Sequence, residues 1–430
     1  MKNIILGLYH FLARRYISYH QPIIIWVTWS AGKSTAVQAI WSTLNTIFDK
    51  KIAYSSSNFN GERWLPMSIF GITQQWWRRT HCKNIAHIMV HFFGPSCDIY
   101  VLEYGIDYDG EMQKLLSIAK PHYSFITNIW TVHFGDPKKT RKAKSPLIHA
   151  TKKATIIPQY YKNLISWIDV FDHTCISITN TKLTNMSYTC DISRWTRTQH
   201  VQTNSLDDHS LYGIWVGLMF GDMIAHQLWY ILRLSPTILI DIPQPPSRFS
   251  LLHWIHNSII VDSSYNNSPD SFYPTFEQFR SLRAHHFSDY PVIAVIWEMR
   301  ELYESDVIEH TKLGEFLARQ DIEYYFLVWK SIEVTAQILR KNGIDSTKII
   351  VSKNSREVWL YLKKLLDHNT YCLFFKWSQN TIFLEEAIKL ILSNSIDIWR
   401  LCRQSPSRLA KKEVYFKNIM DMDRHWSHDQ

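Results

Sequence analysis

Glycine is scarce in this chain, at 13 of 430 residues, where ordinary usage of about 7% would give roughly 30. The six cysteines, Cys82, Cys97, Cys175, Cys190, Cys372 and Cys402, include no CxxC pair and follow no signal-peptide pattern. That argues against a zinc site and against a disulfide framework, and a reducing cytoplasm is the compartment it fits. Dense Lys/Arg blocks are absent as well. The formal net charge of +9 is spread thinly, so it suits an anionic ligand such as a nucleotide or an acidic membrane surface and implies no nucleic-acid partner. No segment reads as a membrane span. Residues 4–19, IILGLYHFLARRYISY, mix apolar side chains with Arg14 and Arg15 and read as an amphipathic helix. It is expected to pack on its own domain, with peripheral membrane or partner-protein contact as the alternative.

What is abundant instead is tryptophan, at 18 residues. Glycine and tryptophan together reach the number that ordinary usage assigns to glycine alone. Some bacteria read the codon UGA as glycine, and such a gene translated with UGA as tryptophan would show this exchange. The expectation is that many tryptophans stand at glycine positions, and their places along the chain test it.

At 430 residues the chain exceeds what one hydrophobic core usually supports. Strand-like apolar runs alternate with helical patterns from Ile23 onward: a strand at 23–27, a helix from 33 to about 48, then strands near 52, at 99–103 and at 123–127. This is the βαβ rhythm of a parallel sheet covered by helices. Residues 180–208, rich in Thr, Ser and Asn, read as a β-rich excursion or long loops, and a helix is expected from about 209 to 232. The proline-rich segment 236–246 reads as a linker. Beyond it a second α/β pattern follows. The fold class expected is α/β, a central P-loop ATPase-like parallel-sheet domain followed by a Rossmann-like α/β C-terminal domain. The divisions are an N-terminal amphipathic helix at 1–22, a central domain at 23–247 and a C-terminal domain at 248–430.

Directly after the first strand comes TWSAGKST at 28–35, a tight loop whose GKS opens a helix. Such a loop turns backbone N–H groups and a helix N-terminus toward phosphates; Lys33 neutralises their charge and the Ser34 hydroxyl ligates magnesium. Ser30, Ala31, Gly32, Lys33, Ser34 and Thr35 are therefore nucleotide-binding candidates. An indole at Trp29 would fill the cradle, because close backbone approach to a phosphate calls for glycine. With glycine at 29 the loop reads TGSAGKST and resembles the ATP-binding loop of the Mur ligase family.

The resemblance continues along most of the chain. LEYGID at 102–107 followed by Gly110-Glu111 resembles the family's strand-end segment, which implies a magnesium-binding role for Glu103. TNIWTVH at 127–133 resembles its TNIG…H segment, with Trp130 at the glycine and His133 as a second metal ligand. Lys144 falls where these ligases carry a carbamylated lysine. Asn58, in SNFNGERWLP, matches the stretch near the nucleotide–substrate junction, and Arg248, after Ser247, resembles the linker arginine that touches ATP phosphates. DSSYNNSPDS at 262–271 resembles DDSYNANPDSM of the branch that adds a D-alanyl-D-alanine dipeptide, which places Asp262, Tyr265 and Asn266 toward ATP. WEMREL at 297–302 and KWS at 376–378 resemble GEMREL and KGS of that branch, so Trp29, Trp130, Trp297 and Trp377 each meet a family glycine. Trp26, Trp64, Trp254 and Trp329 are further candidates.

The resemblance implies ATP and Mg²⁺ as cofactors, with Lys33, Glu103, His133 and Lys144 in catalytic roles and Ser34, Glu103 and His133 as metal ligands. The implied reaction phosphorylates a substrate carboxylate, and an amine then attacks the acyl phosphate. The implied partners are a nucleotide-sugar peptide or related carboxylate and a D-amino-acid dipeptide, in peptidoglycan synthesis. Only about 22 residues precede the first strand, too few for a separate uridine-nucleotide domain. The segment at 209–213, HSLYG, departs from the family's adenine-contacting pattern. Two alternatives stay open: a Mur-type ligase for another carboxylate, and a non-catalytic nucleotide-binding module serving a partner chain.

Overall fold

The structure is a computed structural model. It describes residues 2–28, 33–55, 61, 64–72, 81–105, 110–126, 146–147, 149–156, 177–184, 187–194, 197–205, 208–243, 246–253, 258–299, 302–366, 369–377, 385–392, 398, 400–406 and 408–414. The chain divides into two compact units, Met1–Gln244 and Pro245–Gln430.

The first unit opens with α1 (Lys2–His20), β1 (Ile23–Thr28), α2 (Lys33–Ile47), β2 (Ile52–Tyr54), α3 (Leu65–Ile69), α4 (His81–Phe93), β3 (Ile99–Tyr104), α5 (Glu111–Ile118), β4 (Tyr123–Ile126) and β5 (Ala154–Ile156). The five strands form one parallel sheet in the order β2-β3-β1-β4-β5. β1 is a continuous apolar run because both of its faces are covered. Ile23, Ile25 and Val27 enter the layer shared with α2, while Ile24 and Trp26 enter the opposite layer with Tyr9, Ala13 and Tyr16 of α1. The N-terminal helix thus packs on its own unit, and the Tyr16 and Tyr100 hydroxyls lie 3.1 Å apart in a hydrogen bond beneath it.

The β-rich excursion is a small sheet, β6 (Ser177–Thr184), β7 (Ser187–Arg194) and β8 (Arg197–Thr203), followed by α6 (Asp208–Gln227). The segment read as a linker instead begins with a strand, β9 (Thr237–Ile240), which pairs in parallel with β8. Ile238 and Ile240 are buried there, and burying this TILI run outweighs the breaking tendency of the prolines around it. α6 also stops at Gln227 rather than near 232.

α6 seats the helix that follows the phosphate loop. Gly213, Gly217 and Gly221 present a side-chain-free stripe at four-residue spacing to α2. A methyl at 213 would lie 2.6 Å from Cβ of Ala39, and one at 217 would lie 2.7 Å from Cβ of Thr43. A side chain at 213 or 217 would therefore force the two helices apart.

His122 ties β4 to β1: its ring Nδ1 accepts from Ile24 N–H at 3.1 Å and its backbone N–H donates to the Ile24 carbonyl at 2.8 Å. Burial, with Lys152 and Lys153 nearby, pushes the imidazole down to about 4 from 6.5. Below 6.5 the unfolded chain takes up a proton that the folded one refuses. Stability is therefore expected to fall as pH drops from 6.5 toward 4. Melting temperatures across that window, compared with a His122→Gln variant whose side chain does not titrate, check this; an unchanged slope would refute it.

The second unit contains β10 (Ser250–His253), β11 (Ile259–Ser263), α7 (Pro269–His286), β12 (Val292–Trp297), α8 (Asp306–Leu317), β13 (Tyr324–Val328), α9 (Glu333–Lys341), β14 (Ile349–Ser352), α10 (Ser355–Leu366), β15 (Cys372–Lys376) and α11 (Glu385–Ile391). Its sheet order is β10-β11-β15-β12-β13-β14, parallel except for the antiparallel β10. Both units are thus α/β, as the patterning predicts. Among the described residues no helix is long and apolar enough to cross a membrane.

Candidate functional site

In the first unit the chemistry gathers where β1 and β3 end side by side. Val27 pairs with Glu103 and Thr28 with Tyr104, and the Thr28 hydroxyl donates to the Tyr104 carbonyl at 2.8 Å. α2 then begins at Lys33, so its first-turn N–H groups, which have no intrahelical acceptors, open at this sheet edge. Ser34 Oγ donates to Glu103 Oε2 at 2.5 Å. Glu103 is buried, and its own N–H donates to Ser55 Oγ at 3.0 Å, which fixes the end of β3. A hydroxyl and a carboxylate side by side are hard oxygen donors of the kind Mg²⁺ takes, so this pair fits the cation that the loop implies. Thr35 is buried in the same first turn.

Sequence reasoning placed Ser30, Ala31, Gly32, Asn58, His133 and Lys144 here as well, together with Trp29 and Trp130. All of these lie outside the described residues. Among the described residues no group of three or more His, Cys, Asp or Glu side chains is arranged to hold a metal.

The second unit brings Arg248, Asp262 and Tyr265 together. Ser250 of β10 pairs with Asp262 of β11, Tyr265 N–H donates to the Ser247 carbonyl at 3.1 Å, and the Arg248 guanidinium lies 4.0 Å over the Tyr265 ring. Asp262 is fully buried, and Oδ1 accepts from Ser264 N–H at 2.9 Å. Burial pushes its carboxyl above the ordinary range. Asn266 is exposed and turns inward only to cap its neighbour, Oδ1 accepting from Asn267 N–H at 2.9 Å. Asn267 is the buried member, donating to the Trp297 carbonyl at 2.6 Å and so joining the turn after β11 to the end of β12.

Two groups beside this cluster had no role assigned from sequence. Lys376 ends β15 next to Ser263, and its Nζ donates to Ser263 Oγ at 3.4 Å; burial, reinforced by Arg248, pushes the ammonium down to about 7. The signal for it was a lysine closing an apolar strand. Arg403 donates to the Tyr265 carbonyl at 3.3 Å and pairs with Glu385 at 3.5 Å, which also meets Lys412 at 3.0 Å. Nothing in the local pattern marks Arg403, because its partners lie far away along the chain.

No family model matches the chain. Over 149 residues it is 26% identical to the UDP-N-acetylmuramoyl-tripeptide–D-alanyl-D-alanine ligase of Bacillus subtilis (strain 168), a match covering 34% of this chain and 28% of that protein. The MurF ligase of Thermotoga maritima, solved in complex with ADP, superposes with a TM-score of 0.68 at 19% identity, over 90% of this chain and 83% of the other. The fold is that of the Mur ligases. MurF of Acinetobacter baumannii gives the same TM-score of 0.68 at 17% identity, over 91% of this chain and 80% of its own. A variant of FPGS from L. casei follows at a TM-score of 0.55 and 12% identity, over 88% and 94%. The likeness to the Mur ligases therefore runs through about a third of the chain in sequence and nine-tenths of it in fold.

Proposed function

We propose that this chain is an ATP-dependent amide ligase of the Mur type that joins D-alanyl-D-alanine to the peptide of a UDP-N-acetylmuramoyl tripeptide in the cytoplasm. The observation that carries the reading is the Ser34–Glu103 pair at the head of α2, at the carboxyl ends of adjacent parallel strands of a Mur ligase fold. It is the arrangement that a phosphate loop with a bound divalent cation requires.

In this reading the γ-phosphoryl group of ATP passes to a substrate carboxylate, giving an acyl phosphate and ADP. The free amine of the dipeptide attacks the acyl carbon; a tetrahedral adduct forms, phosphate leaves, and the nitrogen gives up its proton as the amide appears. Phosphoryl transfer of this kind depends on positioning and charge stabilisation more than on a side-chain nucleophile. Lys33 and the first-turn N–H groups of α2 hold the phosphates. Ser34 and Glu103, with His133 by the family resemblance, would hold Mg²⁺, which when bound would offset phosphate charge. The family resemblance assigns Lys144 a supporting role for that cation, Asn58 a role near the substrate, and nucleotide contact to Arg248, Asp262, Tyr265 and Asn266.

The test compares the chain as written with one carrying glycine at 29, 130, 297 and 377, each offered ATP, the muramoyl-tripeptide nucleotide and D-Ala-D-Ala. Mass spectrometry is expected to find the amide product, with stoichiometric ADP, from the glycine-bearing chain alone. ATP binding without amide formation from this or any other carboxylate tried would leave a nucleotide-binding module and sink the ligase reading.

A further inference from the structure

Several tryptophans occupy places that the backbone around them shapes for a residue without a side chain. The first is the end of α6. Tyr230 N–H donates to the Ala225 carbonyl at 2.8 Å and Trp229 N–H to that of His226 at 3.3 Å. These are the two bonds of a Schellman motif, and they put Trp229 at its C′ position, where glycine predominates because the backbone must turn left-handed. Trp229 has φ +55°, and the residue is 93% exposed, its ring meeting only that of His226 at a centroid distance of 6.4 Å among the described residues, so little packing compensates for the conformation.

The second is Trp329, after β13. Among the described residues four others with side chains have positive φ, Gln21, Ser247, Phe249 and Arg403, all between 49° and 59° and so close to the left-handed helical basin. Trp329, at 89°, lies beyond it, beside Gly110 at 87° and Gly343 at 86°. A bulky side chain is an outlier there, and glycine is not.

The third is β1. The Trp26 ring centroid lies 3.0 Å from that of Tyr104 at an interplanar angle of 23°. Aromatic pairs ordinarily keep their centroids about 4.5–7 Å apart. Both residues are fully buried, and among the described residues neither the Trp26 indole N–H nor the Tyr104 hydroxyl has a hydrogen-bond partner. The two rings share the same layer, on the α1 face of β1 and β3, and at this separation they compete for one space.

The fourth is the carboxyl edge of the second sheet. Trp377 follows β15, Trp297 ends β12 and Trp329 follows β13, three neighbouring strands. Their rings pack together: Trp297 stacks on Trp329 with centroids 5.3 Å apart and meets Trp377 at a tilt with centroids 4.3 Å apart. Open α/β sheets take their ligands beyond these strand ends. Here three indoles fill the place.

We infer that glycine is the residue belonging at 26, 229, 297, 329 and 377, and that the gene carries UGA at these positions, decoded as glycine in its own cell. Glycine at the last three clears the strand ends beside Lys376 and Glu298, opening a ligand pocket where the structure now holds aromatic packing. Trp41 marks the opposite case. Its indole N–H donates to the Ile52 carbonyl at 2.9 Å, and its ring lies 4.5 Å from that of Tyr54, so it is a true tryptophan encoded by UGG.

The dihedral angles, cap bonds and ring distances hold whether or not the chain is a ligase. The experiment reads the codons and, on protein purified from the cell that carries the gene, the masses of the peptides spanning each position. UGA with glycine masses at the five positions and UGG with a tryptophan mass at 41 are expected. UGG codons, or tryptophan masses at the five, overturn the inference, and loss of ligase activity has no bearing on either readout.

Discussion

Glu103→Gln, made in the chain carrying glycine at 29, 130, 297 and 377, is expected to lower amide formation on the order of 10²–10³-fold, the loss that follows removal of one preorganised charge-stabilising group. The amide is close to isosteric with the carboxylate and can still accept from Ser34 Oγ, now 2.5 Å from Oε2. What is lost is the negative charge that draws a divalent cation to the head of α2. Three measurements separate this role from a structural one. The melting temperature should hold, ATP should still bind through Lys33 and the loop, and the Mg²⁺ concentration needed for half-maximal turnover should rise. Unchanged turnover in the variant would remove Glu103 from the mechanism.

Asp222→Ala is expected to cost about 3–5 kcal/mol of folding stability, because it leaves a buried guanidinium without its counter-charge. Arg194 Nε meets Asp222 Oδ2 at 2.7 Å, and the arginine side chain is almost completely enclosed between β7 and α6. The pair ties the small sheet to the helix on which α2 is seated. Denaturant unfolding of Asp222→Ala and of the double variant Arg194→Met/Asp222→Leu tests the cause. The double variant should recover most of the loss, since an apolar pair of similar volume carries no uncompensated charge. Equal losses in both variants would point to shape rather than charge.

The sequence by itself determined what is local. β1 announces itself as an unbroken apolar run, α2 as the helix opened by Gly32-Lys33-Ser34, and β3 as a strand closing on Glu103, because strand burial and phosphate-loop chemistry both act over a few consecutive residues. DSSYNNSPDS was legible for the same reason, and Asp262 and Tyr265 do share one turn with Arg248 beside them. The scarcity of glycine against tryptophan was a matter of counting.

Tertiary structure alone decided which distant groups meet. Lys376 lies beside Ser263 through the pairing of β15 with β11, and Arg403 reaches Tyr265 from far along the chain; both contacts depend on sheet order, which local pattern does not specify. The proline-flanked TILI run became β9 because β8 was there to bury it. Backbone angle marks Trp229 and Trp329, and a satisfied, packed indole marks Trp41, since a residue's φ and the room around its ring are set by the chain that folds against it.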